Sequence, residues 1–256
     1  MIKLFISDID GCLAEPYQPW DLGGFETLAR YAREADALEQ GGPRPVVSLC
    51  SGRAYAYVEA VAQALALTTP VLFESGAGLF YPAEARTAWN PAFTDEVEAQ
   101  LNEVREWMLE TCVPGTSLAL DHNKRTQAGV VSPDTAEIER FIPDVEAFVD
   151  KHAPDLHVFP THVSIDVVPP AITKRDGLEW LGWQLGVPLS AMAYIGDTKG
   201  DLVALERVGQ SFAPANAQAL VRERVNHVTE SPLIDGTLEA YRWCVHHNKT
   251  QPSETS

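Results

Sequence analysis

Asp8-Ile9-Asp10-Gly11, Ser51-Gly52-Arg53, Lys174 and Gly196-Asp197-Thr198-Lys199-Gly200-Asp201 are the residues of this 256-residue chain whose types and spacing suit chemistry. Asp8, Ser51 and Asp197 each follow a short apolar run: Leu4-Phe5-Ile6, Pro45-Val46-Val47-Ser48-Leu49 and Ala191-Met192-Ala193-Tyr194-Ile195. In an open parallel sheet, ligands bind beyond the carboxyl ends of the strands. The pattern therefore gathers Asp8, Asp10, Ser51, Asp197 and Asp201 at one edge. Four carboxylates in one cleft repel one another unless a cation sits among them. Magnesium is the natural cation, because it is hard and prefers oxygen ligands, and no histidine or cysteine cluster offers a softer site. A metal held by two or three carboxylates, with a further Asp free, suits phosphoryl transfer through an aspartyl-phosphate. The phosphoryl group also needs donors, for which Ser51, the N–H groups of the Asp10-Gly11-Cys12 turn and Lys174 are the candidates.

The elements that must position these residues alternate. A helix is expected from about Gly24 to Gln40, with Phe25, Leu28, Ala32, Ala35 and Leu38 at helical spacing, stopped by Gly41-Gly42-Pro43. A second is expected from Ala54 to Leu67, and Val71-Leu72-Phe73 reads as a third strand. Near-continuous apolar strands joined by helices imply a parallel sheet covered on both faces. From about Tyr81 the rhythm changes to a helix over 92–111, a strand pair Thr116–Asp121 and Gln127–Val131, a helix Asp134–Lys151, and strands Leu156–Phe159 and Val163–Val168. That αββαββ order suits an α+β unit. After Pro169-Pro170 the α/β rhythm returns, with helices over Gly177–Leu185 and Asp201–Val208. The expected fold is thus a doubly wound α/β core, residues 1–82 and 170–248, interrupted by an α+β insert, 83–169, with a disordered polar tail at 249–256.

Composition narrows the partners. With 19 Lys and Arg against 36 Asp and Glu, the net charge is −17, which would repel a nucleic-acid backbone or an anionic membrane. No apolar run approaches a membrane span, and Met1–Ile6 is too short and too soon followed by acidic sequence for a secretory signal, so a cytoplasmic protein is expected. The four cysteines form no CxxC pair and read as reduced, buried residues. Oligomeric state is not legible.

Four of these segments together resemble the haloacid dehalogenase superfamily of phosphatases: DxDG at Asp8–Gly11, a Ser ending a strand at Ser51, a Lys leading into a helix at Lys174, and GDxxxD at Gly196–Asp201. DxDG alone is weak; four motifs in order at the right element ends are specific. An αββαββ insert between the second and third motifs resembles the type IIB cap of sugar-phosphate phosphatases and phosphomannomutases. The resemblance implies that Asp8 is the nucleophile, and that Asp10 protonates the leaving oxygen and later deprotonates water. It implies that Ser51, Gly52 and Lys174 hold the phosphoryl group, and that Asp8, the Asp10 carbonyl and Asp197 ligate magnesium, with Asp201 direct or through water. Closure of the cap would exclude water and select the substrate, a small phosphorylated metabolite such as a sugar phosphate. Gly200 stands where relatives often have Asn, and Cys12 where they have Thr; Cys12 reads as tolerated rather than reactive.

Further candidates carry a structural alternative of similar weight. Arg53 would contact phosphate or form an ion pair, and Asn216 would approach the metal motif or shape a loop. Lys124, in the cationic turn Asp121–Thr126, would reach the leaving group or sit on a solvated hairpin tip. The rival functions are a phosphohexomutase using the same aspartyl-phosphate, and a phospho-acceptor signalling module.

Overall fold

The structure is a computed structural model in which residues 1–39 and 41–250 are described. The chain begins with β1 (Leu4–Ser7), α1 (Leu22–Arg33), β2 (Val46–Leu49), α2 (Tyr55–Ala64), β3 (Val71–Phe73), β4 (Gly78–Tyr81) and β5 (Arg86–Trp89). It continues with α3 (Asp95–Thr111), β6 (Ala119–Leu120), β7 (Ala128–Val131), α4 (Thr135–His152), β8 (His157–Pro160) and β9 (Ser164–Val168). It closes with α5 (Lys174–Leu185), β10 (Met192–Ile195), α6 (Leu202–Leu205), β11 (Gln210–Ala213), α7 (Ala219–Arg222), β12 (His227–Val228) and α8 (Leu233–Thr250).

Two compact units result: Met1–Ala88 together with the chain from Thr173 onward, and Trp89–Ile172. In the first, a five-stranded parallel sheet has the order β12-β11-β10-β1-β2. β1 is an interior strand, between β10 and β2, and wholly buried, as its unbroken apolar run requires. Side chains alternate across it. Leu4 and Ile6 pack with Leu178, Leu181 and Leu205 from α5 and α6, while Phe5 meets Tyr241 of α8 edge-on at 5.4 Å. The register sets Ser7 beside Ile195 on one side and Leu49 on the other, so the three chains leave the sheet together.

The Trp89–Ile172 unit follows the αββαββ order, with an antiparallel sheet β6-β7-β9-β8. Its core is built by Leu101, Val104, Met108, Ile138, Val145 and Val149 against Ala128, Val130, Ile165 and Val167. Helix spacing on α3 and α4 and alternation on the strands place these residues on facing surfaces.

Several expectations are corrected. β3 pairs antiparallel with β4, in a separate β3-β4-β5 sheet, and meets the parallel sheet through one bridge, Cys50 to Leu72. The boundary expected at 82/83 falls inside that hairpin region. α1 ends at Arg33, short of the expected Gln40, which itself lies outside the described residues. There the Asp36 carboxylate accepts the Arg44 backbone N–H at 2.8 Å and its guanidinium at 3.1 Å, tying the chain into a turn. The helix expected over Asp201–Val208 is a 3₁₀ turn, Lys199–Asp201, followed by the single turn α6. α8 was not expected, and Lys249 and Thr250 are its last residues rather than part of a tail; 251–256 lie outside the described residues. Among the described residues no helix is long and apolar enough to cross a membrane.

Candidate active site

The parallel register carries the first and last acidic motifs to the same edge. Asp8 follows β1 directly and Asp197 follows β10 by one residue, and the Asp8 N–H donates to the Ile195 carbonyl at 3.0 Å. Lys174 arrives from α5. A capping box between Thr173 and Asp176 starts that helix, and Gly177 lets its first turn approach Gly76 so closely that a Cβ there would lie 2.5 Å from the Gly76 Cα. Lys174 is thereby sunk to 8% exposure, and its Nζ donates to Asp8 Oδ2 at 2.7 Å and to Asp201 Oδ1 at 2.6 Å.

Asp201 is fully buried and its carboxylate is saturated. Oδ1 accepts from Lys174 and, at 2.5 Å, from the Tyr194 hydroxyl. Oδ2 accepts from the N–H groups of Asp197 (3.2 Å) and Thr198 (2.9 Å) and from the Thr198 hydroxyl (3.0 Å). It shapes the loop that presents Asp197. Tyr194 and Thr198 escaped the sequence reading: Tyr194 looks like one more apolar strand residue until its neighbours are known.

Charge follows this geometry. Burial, opposed by Lys174, pushes Asp8 up to about 6 from its ordinary 3.8. Burial and the charges of Asp201 and Asp8 push Asp197 up to about 7. Burial acts the same way on Asp201, but Lys174 and the donated hydrogen bonds outweigh it and hold this carboxylate below its ordinary range. Burial opposes the charge on Lys174 too, and Asp201 with Asp8 more than restores it.

These residues fit a hard divalent cation. Asp8, Asp197 and Asp201 each offer an oxygen, all within 4.8 Å of one another. Asp197 Oδ1 is buried with no hydrogen-bond partner, the sort of orphan that a metal would satisfy. Among the described residues the Asp10 carbonyl accepts no hydrogen bond either. Asp201, with both oxygens occupied, is better placed to hold the loop than to bind an ion directly.

The remaining candidates separate. Ser51 is fully buried at the end of β2, its hydroxyl oxygen accepting the Arg53 N–H at 3.2 Å, and Gly52 follows it into the turn, where a Cβ would lie 3.3 Å from the Ser75 hydroxyl. Of the three turn amides expected to face phosphate, those of Gly11 and Cys12 are spent within the turn, on the Ala14 and Ile9 carbonyls. The Asn216 amide is spent on backbone, donating to the Gly11 carbonyl and accepting from the Leu233 N–H, both at 2.9 Å. Arg53 binds Asp10. Lys124 belongs to the Trp89–Ile172 unit, where its Nζ donates to Gln127 at 3.0 Å and lies 3.9 Å from both Asp121 and Asp166. Burial and the surrounding carboxylates hold the Cys12 thiol well above its ordinary range, so it keeps its proton.

Gly11 shows how tight the edge is. Its φ is +73°, and a Cβ there would lie 2.0 Å from Asp197 Oδ2. Gly11→Ala is expected to displace Asp197 and weaken the binding of a divalent cation to this cluster about 10–100-fold, read by titration calorimetry, because groups that orient a ligand carry that much affinity. Unaltered affinity would separate the Gly11 turn from the cation site.

A haloacid dehalogenase-like hydrolase family model matches residues 117–240. A phosphoglycolate phosphatase of Natronomonas pharaonis is 26% identical over 240 residues, covering 94% of this chain and 96% of the relative. One from Halorubrum lacusprofundi is 28% identical over 237 residues, covering 93% and 95%. The crystal structure of a haloacid dehalogenase-like hydrolase from Bacteroides thetaiotaomicron superposes with a TM-score of 0.74 at 18% identity, covering 95% of this chain and 99% of that one. Over residues 117–240 the chain is similar to the haloacid dehalogenase-like hydrolases, and it shares the fold of one of them.

Proposed function

We propose that this enzyme is a magnesium-dependent phosphatase of small phosphate monoesters, working through an aspartyl-phosphate on Asp8. The observation that carries the reading is the Lys174 ammonium shared by Asp8 and Asp201, beside the orphaned Asp197 Oδ1. A bound magnesium would supply charge neutralisation between the anionic nucleophile and the anionic ester. Asp8 attacks phosphorus through a carboxylate oxygen as the bond from phosphorus to the ester oxygen breaks. Asp10 gives that oxygen its proton, and then accepts a proton from the water that displaces Asp8. Ser51 and Lys174 hold the transferred group.

For the ester, the αββαββ unit favours a sugar phosphate, whereas relatives aligned along more than nine-tenths of the chain are named for phosphoglycolate. We rank a phosphorylated hydroxy acid first, because that likeness extends along the sequence and not the fold alone. A panel holding 2-phosphoglycolate, hexose phosphates and glycerol phosphate decides between them by kcat/KM. Release of inorganic phosphate, without isomerised ester, separates a phosphatase from a mutase.

The metal has its own test. Chelation is expected to abolish turnover and added magnesium to restore it; turnover that persists through exhaustive chelation would sink the mechanism. The stabilisation by magnesium also depends on pH. Asp8 and Asp197, raised to about 6 and about 7, hold protons in the metal-free folded state that the unfolded chain, at 3.8, has already released. Without metal, these two groups make the fold less stable as pH rises from about 4 towards 7, by proton linkage. Magnesium requires both ionised, so the rise in Tm that it produces is expected to be complete above pH 7 and to fade as pH falls through 7 and 6. Thermal unfolding with and without magnesium across that range checks it, and a pH-independent rise would place the cation elsewhere.

A further inference from the structure

Arg53 stands where a phosphate ligand is expected, yet its fork is given to Asp10. Nε donates to Asp10 Oδ2 at 2.6 Å and Nη2 donates to Oδ1 at 2.7 Å, engaging both carboxylate oxygens. The guanidinium also lies over two aromatic rings: Cζ is 4.8 Å from the centroid of Tyr17 and 4.8 Å from that of Tyr57. Tyr57 is braced in turn. Trp20 meets its ring edge-on at 6.1 Å, and Trp20 itself stacks on Phe25 of α1 at 4.9 Å with the planes 2° apart.

Tyr17 is the unusual member. It lies on the loop between the first motif and α1, with φ at +62° and 90% of its surface exposed. A bulky residue in the left-handed region is strained. An aromatic ring left in water forgoes burial. The ring lies against Arg53, so the strained conformation serves to set it on the guanidinium.

A phosphate-binding arginine would keep its fork free for the phosphoryl oxygens. Here two of the five N–H donors, on the edge best suited to a planar anion, are spent on Asp10. We infer that Tyr17, Arg53 and Tyr57 form a positioning device for Asp10, fixing the plane of its carboxyl group while the leaving oxygen is protonated. The inference rests on the reading of Asp10 as the acid and base. The fork leaves the outer lone pairs of both oxygens to carry the travelling proton. The guanidinium charge then balances the carboxylate that remains once the proton has passed to the ester oxygen.

Leaving-group dependence distinguishes this role from phosphate binding and from mere structure. An alkyl ester expels a basic alkoxide and needs the proton; 2,4-dinitrophenyl phosphate expels a stable phenolate and does not. kcat/KM reports steps up to formation of phospho-Asp8, so it isolates that proton transfer. For Arg53→Lys and Tyr17→Ala, kcat/KM for the best alkyl ester of the panel is expected to fall about 10²-fold or more, with the dinitrophenyl ester close to wild type, as for loss of general-acid catalysis. Tyr17→Phe keeps the ring and is expected to behave as wild type. A parallel fall on both esters would make Arg53 a phosphate ligand and overturn the inference; so would Tyr17→Ala matching wild type on both. Since Tyr17 is so exposed, its replacement leaves the fold intact even if Arg53→Lys does not. Asp10→Asn in the same series guards the premise. If it shows no leaving-group signature, the acid/base reading itself falls; if it shows one that the Arg53 and Tyr17 variants lack, only the positioning role falls.

Discussion

Asp8→Asn is expected to lower phosphate release from every ester by about 10⁵-fold or more, as loss of a covalent nucleophile does. The amide matches the carboxylate in shape, and its oxygen can still accept from Lys174, which now donates to Asp8 Oδ2 at 2.7 Å. It cannot attack phosphorus, because its lone pairs are delocalised and it carries no charge. The fold should survive. Asp8 is a carboxylate whose ionisation burial already disfavours, beside two more carboxylates in the same cluster. Neutralising it relieves repulsion, so the metal-free variant is expected to melt no lower than wild type. Activity on good and poor leaving groups alike should vanish, in contrast to the selective loss at Asp10. Mass spectrometry of the acid-quenched enzyme should show a phosphorylated Asp8 peptide in wild type and none in the variant. A variant that released phosphate at the wild-type rate would remove Asp8 from the mechanism.

Lys174→Met carries the largest expected change in stability. Lys174 is the cation between Asp8 and Asp201, and its side chain is 9% exposed. Removing one partner from a buried charge cluster typically costs about 3–5 kcal/mol, because the charges left behind remain desolvated. For a chain of this size that corresponds to a fall in Tm of about 10 °C. Methionine fills most of the volume, so the loss reports charge rather than a cavity. Added magnesium is expected to stabilise the variant more than wild type, since a cation would then meet the carboxylates that Lys174 leaves unbalanced. Turnover should fall with it, because the phosphoryl group loses a donor. Scanning calorimetry with and without magnesium measures the first effect and phosphate release the second. An unchanged Tm together with unchanged turnover would remove Lys174 from the centre of the site.

The legible part of this protein was whatever is written locally. Leu4-Phe5-Ile6 before Asp8, and Met192–Ile195 before Asp197, are buried strands whose apolar runs declare them, and the αββαββ order of the insert followed from periodicity. α8 escaped because Gly236, Thr237, Tyr241 and Asn248 break an apolar stripe, yet all four are buried. Their polar groups are met by distant chain: Asn248 bonds Ile2, Tyr241 the Pro45 carbonyl, and Thr237 the Cys12 carbonyl. Such partners lie some two hundred residues away and leave no trace in local spacing.

The same division runs through the site. Asp8, Asp10, Ser51, Lys174, Asp197 and Asp201 stood out by residue type at the ends of elements, and the structure brings Asp8, Lys174, Asp197 and Asp201 together at one edge of the open sheet. What each side chain does there depended on contacts across the fold. The register of β1 with β10 brought Asp8 beside Asp197, and the Gly76–Gly177 approach sank Lys174 between two carboxylates. Tyr194 became a hydrogen-bond donor to Asp201, and Arg53, expected to contact phosphate or form an ion pair, is paired with Asp10. Residue type limits the chemistry available, but hydrogen bonds and Coulomb forces act over a few ångströms, and only the packed chain sets those distances.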